Sequence, residues 1–256
     1  MNSVLGASFL LGGLRHHAQE YNRVSARVQA SLLFLATIAL LVPSAIAEQG
    51  RAPQAVMQTL SLALAVLLVV AYALGMLFSL RTHRELFASA GHGEEGGPPW
   101  PLGLALVTLA GVTLLVALVS EVFVESVQQA AAAFGMTPAF VGFIVVALVG
   151  GAAEMASAFS GARKNRLDLS VGIALGSAAQ IALFVAPVLV LVSYVLGPSP
   201  MSLEFCPGAV SMMLVATLTA TLVTSSGRSA WFVGVLLLMV YLIFAMTLYL
   251  LPPVAP

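Results

Sequence analysis

Residues 145–159 read VVALVGGAAEMASAF, and the chain stays apolar on both sides of them, over residues 139–162. This membrane-length stretch holds a glutamate, Glu154, preceded by the glycine pair Gly150 and Gly151. A charged side chain at the centre of a span costs roughly 2.5–3.5 kcal/mol on insertion scales, so an intramembrane carboxylate is a functional candidate by default. Glycine costs about 1 kcal/mol in a helix interior. The pair therefore predicts a break that frees backbone carbonyls to bind a cation.

The helical face that carries Glu154 is otherwise built from small residues, which let neighbouring helices approach closely. The opposite face is bulky and suits lipid or packing. We therefore expect Glu154 to point into the helix bundle; the alternative is a glutamate that only hydrogen-bonds a neighbouring helix, with glycines present for packing. The small face comprises Ala147, Gly150, Ser157 and Gly161, and the bulky face comprises Ile144, Leu148, Met155 and Phe159.

Composition places the chain in a membrane. Its 256 residues are 60% hydrophobic and 8% charged, whereas soluble domains carry about 25% charged residues. The 10 basic residues (Lys and Arg) balance the 10 acidic ones, which gives no indication of nucleic-acid binding. The one cysteine, Cys206, excludes an internal disulfide framework and a cysteine-rich metal site.

Seven apolar segments are long enough to cross a bilayer as helices of about 20 residues. A shorter apolar run precedes them and brings the predicted number of helices to eight. The strict apolar–polar alternation of a membrane β-barrel is not seen, so the predicted fold class is an all-α polytopic membrane protein. The short run covers residues 4–14, and the seven segments lie near 28–47, 55–80, 101–119, 138–162, 169–196, 207–225 and 230–251.

The basic residues predict the orientation of these helices. Nine of the ten lie in the loops after the first, third, fifth and seventh segments. Because lysine and arginine concentrate in cytoplasmic loops, those loops are predicted to be cytoplasmic and Pro256 to lie outside. We expect a bacterial inner (plasma) membrane, since no organelle-targeting segment is seen. The nine are Arg15, Arg23, Arg27, Arg81, Arg84, Arg163, Lys164, Arg166 and Arg228, and the exception is Arg51.

One long hydrophilic loop divides the chain. Residues 81–99, RTHRELFASAGHGEEGGPP, are rich in glycine and proline and predict a flexible cytoplasmic linker. The linker separates residues 1–80, with three helices of which the first is short, from residues 100–256, with five.

The helix after Glu154 supplies further polar groups within the membrane. Ser177 and Gln180 lie one turn apart and are expected to face Glu154, while Gly172 and Gly176 form a GxxxG pair that indicates close helix packing. Carboxylate, hydroxyl, amide and carbonyl oxygens are the hard donors of which Ca²⁺ takes six to eight. The four histidines lie in loops, so the pattern does not favour zinc.

Four short motifs run through the same region: SE at 120–121, VGGAAEM at 149–155, KNRLDL at 164–169 and GSAAQI at 176–181. Together they resemble the calcium/proton exchanger family of the cation/calcium exchanger superfamily, whose members read SE, VGNAAEH, KN(K/R)LDL and GSATQI. The likeness extends over nearly the whole chain.

The resemblance implies two inverted repeats, each of which contributes a cation-binding glutamate at the membrane midplane. Glu154 corresponds to the glutamate of the second repeat, with Ser177 and Gln180 on the partner helix and Glu121 at an accessory acidic position. Two departures bear on ion choice and coupling: Gly151 stands where the family has Asn, and Met155 where it usually has His.

The resemblance further implies that this chain lacks the family's first three helices, including the glutamate of the first repeat. The short opening run then matches the tail of the first repeat's second helix. We expect an in-frame segment of roughly 100 residues, with about three more spans, upstream. The alternative is a natural half-protein that acts as a homo-oligomer or with a separate N-terminal half.

The sequence therefore predicts a secondary antiporter rather than an enzyme. It would exchange Ca²⁺ for protons at Glu154, with Ca²⁺ as the transported ion and no covalently bound cofactor. The alternatives are exchange of Na⁺ or K⁺ for protons and a non-transporting half that needs a partner.

The topology can be tested by labelling residue 92. In a Cys206→Ser background, we expect the thiol of His92→Cys to react with a membrane-impermeant reagent only after the cells are opened, because linker 81–99 is predicted to be cytoplasmic. Labelling from outside intact cells would overturn this orientation.

Overall fold

The computed structural model is mostly helical, in agreement with the predicted class. It describes residues 1–48, 53–83, 101–197, 199–205 and 207–250. In chain order, its elements are α1 (Asn2–His16), β1 (Ala18–Glu20), α2 (Arg23–Glu48), α3 (Gln54–Leu77, extended by a π-helical turn, Phe78–Thr82), α4 (Leu102–Phe134), α5 (Pro138–Phe140, a π-helical turn at Val141–Val146, and Ala147–Gly150), α6 (Ala152–Arg163), α7 (Leu167–Gln180, followed by a π-helical turn at Ile181–Val185), α8 (Ala186–Leu196), α9 (Pro207–Thr224), β2 (Arg228–Ala230) and α10 (Trp231–Leu250).

The predicted apolar segments coincide with these helices. Among the described residues, five helices are long and apolar enough to cross a membrane, and residues 141–163 add a sixth if their broken helix is one span. Helix α9 is a shorter apolar helix, and α1 has 15 residues. The chain is thus an integral membrane protein, while the count of eight spans stays a prediction. Most of linker 81–99, Cys206 and Pro256 lie outside the described residues.

Helix α4 is longer than the segment 101–119 predicted from hydropathy. Residues 120–134 contain no glycine or proline and include four successive alanines, the best helix formers, so the helix continues to Phe134. It ends before Gly135, whose φ of 63° suits glycine. Glu121, which lies beyond the predicted segment, is therefore inside α4.

The described residues form two compact units. The second contains the described part of residues 92–151 and 245–256, and therefore α4, α5 and the end of α10. In this unit the Thr137 hydroxyl donates to the carbonyl oxygen of Leu248 at 2.8 Å, and the rings of Phe140 and Tyr249 pack edge to face with centroids 5.3 Å apart. Helices α4 and α5 also line a cavity of about 400 Å³.

The first unit contains the described part of residues 1–91 and 152–244, and α7 is central to it. Leu175 of α7 is fully buried in one hydrophobic cluster with residues of α1, α6 and α10. Ala179, one turn later, is buried in a second cluster with residues of α2 and α3. Helix α7 is therefore packed on two sides, and its polar residues are held in fixed positions.

A short antiparallel sheet departs from the purely helical prediction. Strands β1 and β2 pair Gln19 with Ser229, and the Arg228 guanidinium donates to Glu20 Oε1, with Nε at 2.7 Å. The buried Gln19 amide also donates to Ala162 O and to Asn165 Oδ1, both at 2.9 Å. Both strands are too short to show the alternation of apolar and polar residues from which a strand is predicted. They nevertheless hold the α1–α2 loop, the α9–α10 loop and the α6–α7 turn together.

A second extended segment, residues 199–205, crosses three helices. Alternate backbone N–H groups donate to serine hydroxyls, and Leu203 between them is 1% exposed. The segment therefore fastens α8 to α2 and α3. The bonds run from Met201 N to Ser193 Oγ (2.8 Å), from Leu203 N to Ser61 Oγ (3.2 Å) and from Phe205 N to Ser44 Oγ (3.0 Å).

Glycines let α1 and α10 touch backbone to backbone. A Cβ on Gly234 would overlap backbone atoms of Gly6 and Leu10, which cannot move aside as a side chain can. We expect Gly234→Ala to destabilise the protein by about 1–3 kcal/mol, the usual cost of overpacking. Thermal unfolding in detergent measures this effect.

The matched control is Gly111→Ala in α4, where an added Cβ meets nothing within 4 Å. Alanine should there preserve or raise stability, by up to about 1 kcal/mol. Equal unfolding temperatures for the two variants would contradict the close approach of α1 and α10.

Candidate functional site

The helix break predicted at the glycine pair is confirmed. Helix α5 ends at Gly150 and α6 begins at Ala152. Between them Gly151 leaves helical geometry, with φ −89° and ψ 6°, and its N–H donates to Ala147 O at 3.1 Å. The break places Glu154 in the first turn of α6, where the unpaired N–H groups and the helix dipole favour a negative charge.

Glu154 meets a hydroxyl on the next helix. Ser177 Oγ of α7 donates to Glu154 Oε2 at 2.6 Å. That distance is typical of a hydrogen bond to an ionised carboxylate, which is stronger than one between neutral groups. The structure thus brings together two of the site residues predicted from the sequence.

Contacts nearer the α6–α7 turn fix the alignment of α6 and α7 that brings Ser177 to Glu154. The buried Ser170 hydroxyl donates to Ala158 O at 2.6 Å, and the turn passes through Asn165 with φ 59°. Gly161 allows the close approach here, since a Cβ would lie in tight contact, 3.1 Å from Ser170 Oγ and 3.2 Å from a backbone oxygen. The two helices form an antiparallel hairpin whose other end carries Glu154 and Ser177.

The prediction of which α6 face is buried is wrong in part. Met155 and Phe159 of the bulky face pack against the core of the first unit, while Glu154 and Ser157 are exposed in the described chain. Met155 and Phe159 fill the space between α6 and the neighbouring helices, and helix association in a membrane depends on van der Waals packing of this kind. Gly161 of the small face is buried, as expected.

Gln180 and the GxxxG glycines line a cavity. Its volume is about 460 Å³, and it lies between α2, α3 and α7 within the first unit. A Cβ on Gly172 would meet nothing within 4 Å, and one on Gly176 would only touch the Gln29 amide at 3.9 Å. At these two positions the glycines therefore widen the cavity, and the tight helix packing predicted from GxxxG is not found among the described residues.

The cavity has a polar lining that sequence reasoning missed. Gln29, like Gln180, is a polar residue inside an apolar segment, and the same signal would have identified it. Asp168 lies at the start of α7, where it accepts a hydrogen bond from the backbone N–H of Asn22. The remaining polar lining consists of Tyr21, Ser25, Tyr72 and Ser79.

The other predicted site residues lie in the second unit. Glu121 is exposed on α4, and Gly150 and Gly151 end α5, so their roles stay predictions.

Among the described residues, no group of three or more His, Cys, Asp or Glu side chains lies close enough to hold a metal ion. Glu154 is therefore a single carboxylate with a hydroxyl partner, and Ca²⁺, which takes six to eight oxygens, would need donors in addition to these two.

The chain is similar to several known proteins. Residues 104–250 match the family model described as sodium/calcium exchanger protein. The chain is 38% identical to a Ca²⁺/H⁺ antiporter of Aphanothece halophytica, covering 98% of this chain and 71% of that protein. It is also 38% identical to the Ca²⁺/H⁺ antiporter ChaA of Bacillus subtilis (strain 168), covering 97% and 71%. A solved structure of native YfkE is similar, with a TM-score of 0.78 and 34% identity over 98% of this chain and 72% of that one.

The hydrogen bond between Ser177 and Glu154 can be tested by infrared spectroscopy. We expect Ser177→Ala to shift the carboxylate stretching band of Glu154 in infrared difference spectra, because the only change at that oxygen is the loss of a 2.6 Å donor. Helix content should be retained, since alanine is a strong helix former.

Ser157→Ala is the matched control. The Ser157 hydroxyl donates to Ala153 O of its own helix at 3.1 Å, so its removal should leave the Glu154 band in place. Identical spectra for the two variants would show that Ser177 does not bind the carboxylate.

Proposed function

Because this chain belongs to the sodium/calcium exchanger protein family, and within it to the calcium/proton exchangers, we propose that it exchanges Ca²⁺ for protons across a membrane. The observation that carries the proposal is the carboxylate of Glu154, which lies at a helix break in an apolar stretch of membrane length and is bonded to Ser177. Two relatives of 38% identity bear the name Ca²⁺/H⁺ antiporter, which favours these ions over the alternatives of Na⁺ or K⁺.

In the proposed cycle, Glu154 holds a proton and Ca²⁺ in alternation. A carboxylate offers up to two oxygens to Ca²⁺, and protonation of one of them removes the charge that attracts the ion. The Ser177 hydroxyl serves both states, since it can donate to the free carboxylate or rotate and present a lone pair to the cation.

The 460 Å³ cavity is the proposed route for the cation to α7. It runs from Asp168, at the loop end of α7, to Gln180 at the other end of that helix. A carboxylate near the mouth attracts cations, and the amides and hydroxyls along the wall replace part of the water that an entering ion loses. By the predicted topology the mouth faces the cytoplasm of a bacterial cell whose inner membrane holds the protein, with the C-terminus outside.

The proposal includes a partner for the exposed face of α6. An exposed carboxylate within a span is costly unless another group covers it, and a Ca²⁺ site needs more oxygens than Glu154 and Ser177 supply. The covering element would be a second copy of the chain or a half that carries the first repeat. The same proposal assigns the backbone carbonyls at Gly150 and Gly151 to cation binding and Glu121 to an accessory acidic position.

Glu154→Gln tests the site. Glutamine keeps the shape and one oxygen but removes both the charge and the titratable group, so Ca²⁺ uptake driven by a pH step in proteoliposomes should be lost, together with its pH dependence. Helix content should not change. Ser177→Ala should lower the apparent Ca²⁺ affinity by about tenfold, in line with the roughly 1.5–3 kcal/mol of a hydrogen bond to a charged group.

Glu204→Gln is the control, because Glu204 is exposed in the extended segment 199–205, and its transport should match that of the unmodified chain. Wild-type flux in Glu154→Gln would contradict the proposed site. Exchange of Na⁺ or K⁺, rather than Ca²⁺, for protons would show that the transported ion is not Ca²⁺. The absence of flux from the unmodified chain would favour a half-protein that needs a partner.

A further inference from the structure

Three distant parts of the chain meet at one corner of the first unit. The last turn of α1 touches the end of α6, where the His16 ring Nε2 lies 3.1 Å from Arg163 O. The same turn touches the start of α10, where Gly13 lies so close that a Cβ would overlap the Trp231 backbone. The end of α1 therefore lies against both the end of α6 and the start of α10.

This corner carries exposed positive charge. Arg15, Arg163 and Lys164 are all exposed. Of the two carboxylates closest to them in sequence, Glu20 is already paired with Arg228. The other, Asp168, carries a single negative charge, so the three cations leave the corner with a net positive charge.

The loops that carry the cations are fixed. Gln19 is 2% exposed, and its amide holds Ala162 and Asn165 on either side of Arg163 and Lys164. Asn165 and His17 both adopt left-handed backbone conformations, with φ of 59° and 61°. A fixed arrangement loses less conformational entropy when it binds a ligand than a flexible loop does.

Aromatic side chains lie at the start of α10, which the last turns of α1 contact at Gly13. Trp231 is 46% exposed and Phe232 55% exposed, and their rings pack edge to face with centroids 5.8 Å apart. Tryptophan is enriched where a membrane meets water, because its ring is apolar with one polar edge. The first turn of α10 therefore marks the level of the lipid headgroups.

We propose that the surface formed by Arg15, Arg163, Lys164 and Trp231, the basic corner, binds the headgroup of an anionic phospholipid. The three cations suit the phosphate, and the indole suits the glycerol region below it. A lipid fits better than a soluble anion because apolar side chains adjoin the cations, including Leu14 at 65% exposure. The corner lies nine residues beyond Glu154 on α6, so a bound lipid would hold the loop end of the helix that carries the carboxylate; the binding itself does not depend on the proposed transport.

Tryptophan fluorescence tests the proposal directly. The chain has two tryptophans, so Trp100→Phe leaves Trp231 as the only one. This variant is reconstituted into phosphatidylcholine bilayers that contain brominated phosphatidylglycerol or, separately, brominated phosphatidylcholine. Bromine quenches only nearby tryptophan, so we expect the phosphatidylglycerol to quench Trp231 at a severalfold lower mole fraction.

Removing cations should remove this preference. Each lysine or arginine near an anionic membrane surface contributes about a fivefold gain in binding, so Arg163→Gln with Lys164→Gln should reduce the preference by up to about thirtyfold or abolish it. The control Glu20→Gln with Arg228→Gln should retain the preference, because it removes a cation together with the carboxylate that is paired with it. The charge-conserving Arg163→Lys with Lys164→Arg should also retain it, which separates loss of charge from misfolding.

Equal quenching by the two brominated lipids in the Trp100→Phe chain would overturn the proposal. An unchanged preference in the double glutamine variant would do so too, as would a lost preference in a folded charge-conserving variant.

Discussion

The main constraint on this structure is the cost of a carboxylate, Glu154, in an apolar stretch of membrane length. Hydrocarbon does not solvate a charge, so a carboxylate in such a stretch needs polar surroundings that the chain itself supplies. It does so in two ways: the helix break at Gly151 places the carboxylate at the start of α6, and α7 supplies the Ser177 hydroxyl. Both require α6 and α7 to hold one register.

Much of the first unit maintains that register. The Gln19 side chain of β1 donates hydrogen bonds to the α6–α7 turn, and the Ser170 hydroxyl donates to Ala158 O across the hairpin. Helix α7 is packed on one side against α1 and on the other against α2 and α3. Residues 199–205 then tie α8 to α2 and α3 through serine hydroxyls. A hydroxyl that also donates to its own helix leaves no polar group unpaired in the membrane, which explains why serine is suited to such contacts.

The parts of this arrangement that the sequence predicts are local. Apolar length determines a span and a glycine pair weakens a helix, so the segments and the break at Gly151 could be predicted from residues close together in the chain. The same is true of Ser177, since a polar residue inside a span needs a polar partner. Contacts between distant elements could not be predicted in this way. The strands have three residues each, and the burial of Met155 in preference to Glu154 depends on which helices lie on either side of α6. Gly172 resembles a packing motif in sequence, but the spacing of α2, α3 and α7 makes it part of a cavity wall.

Charge balance connects the site to the rest of the proposed mechanism. Ca²⁺ carries two positive charges, whereas the described carboxylate that Ser177 contacts carries one negative charge. In a medium of low dielectric constant the remaining charge is expensive, since the interaction between charges scales inversely with the dielectric constant. Hydroxyl and amide groups such as those of Ser177 and Gln180 offer oxygens but no compensating charge. A single proton, by contrast, neutralises Glu154 fully. The site as described is therefore better matched to the proton than to Ca²⁺, and the second negative charge required for Ca²⁺ is the strongest reason to expect another element over the exposed face of α6.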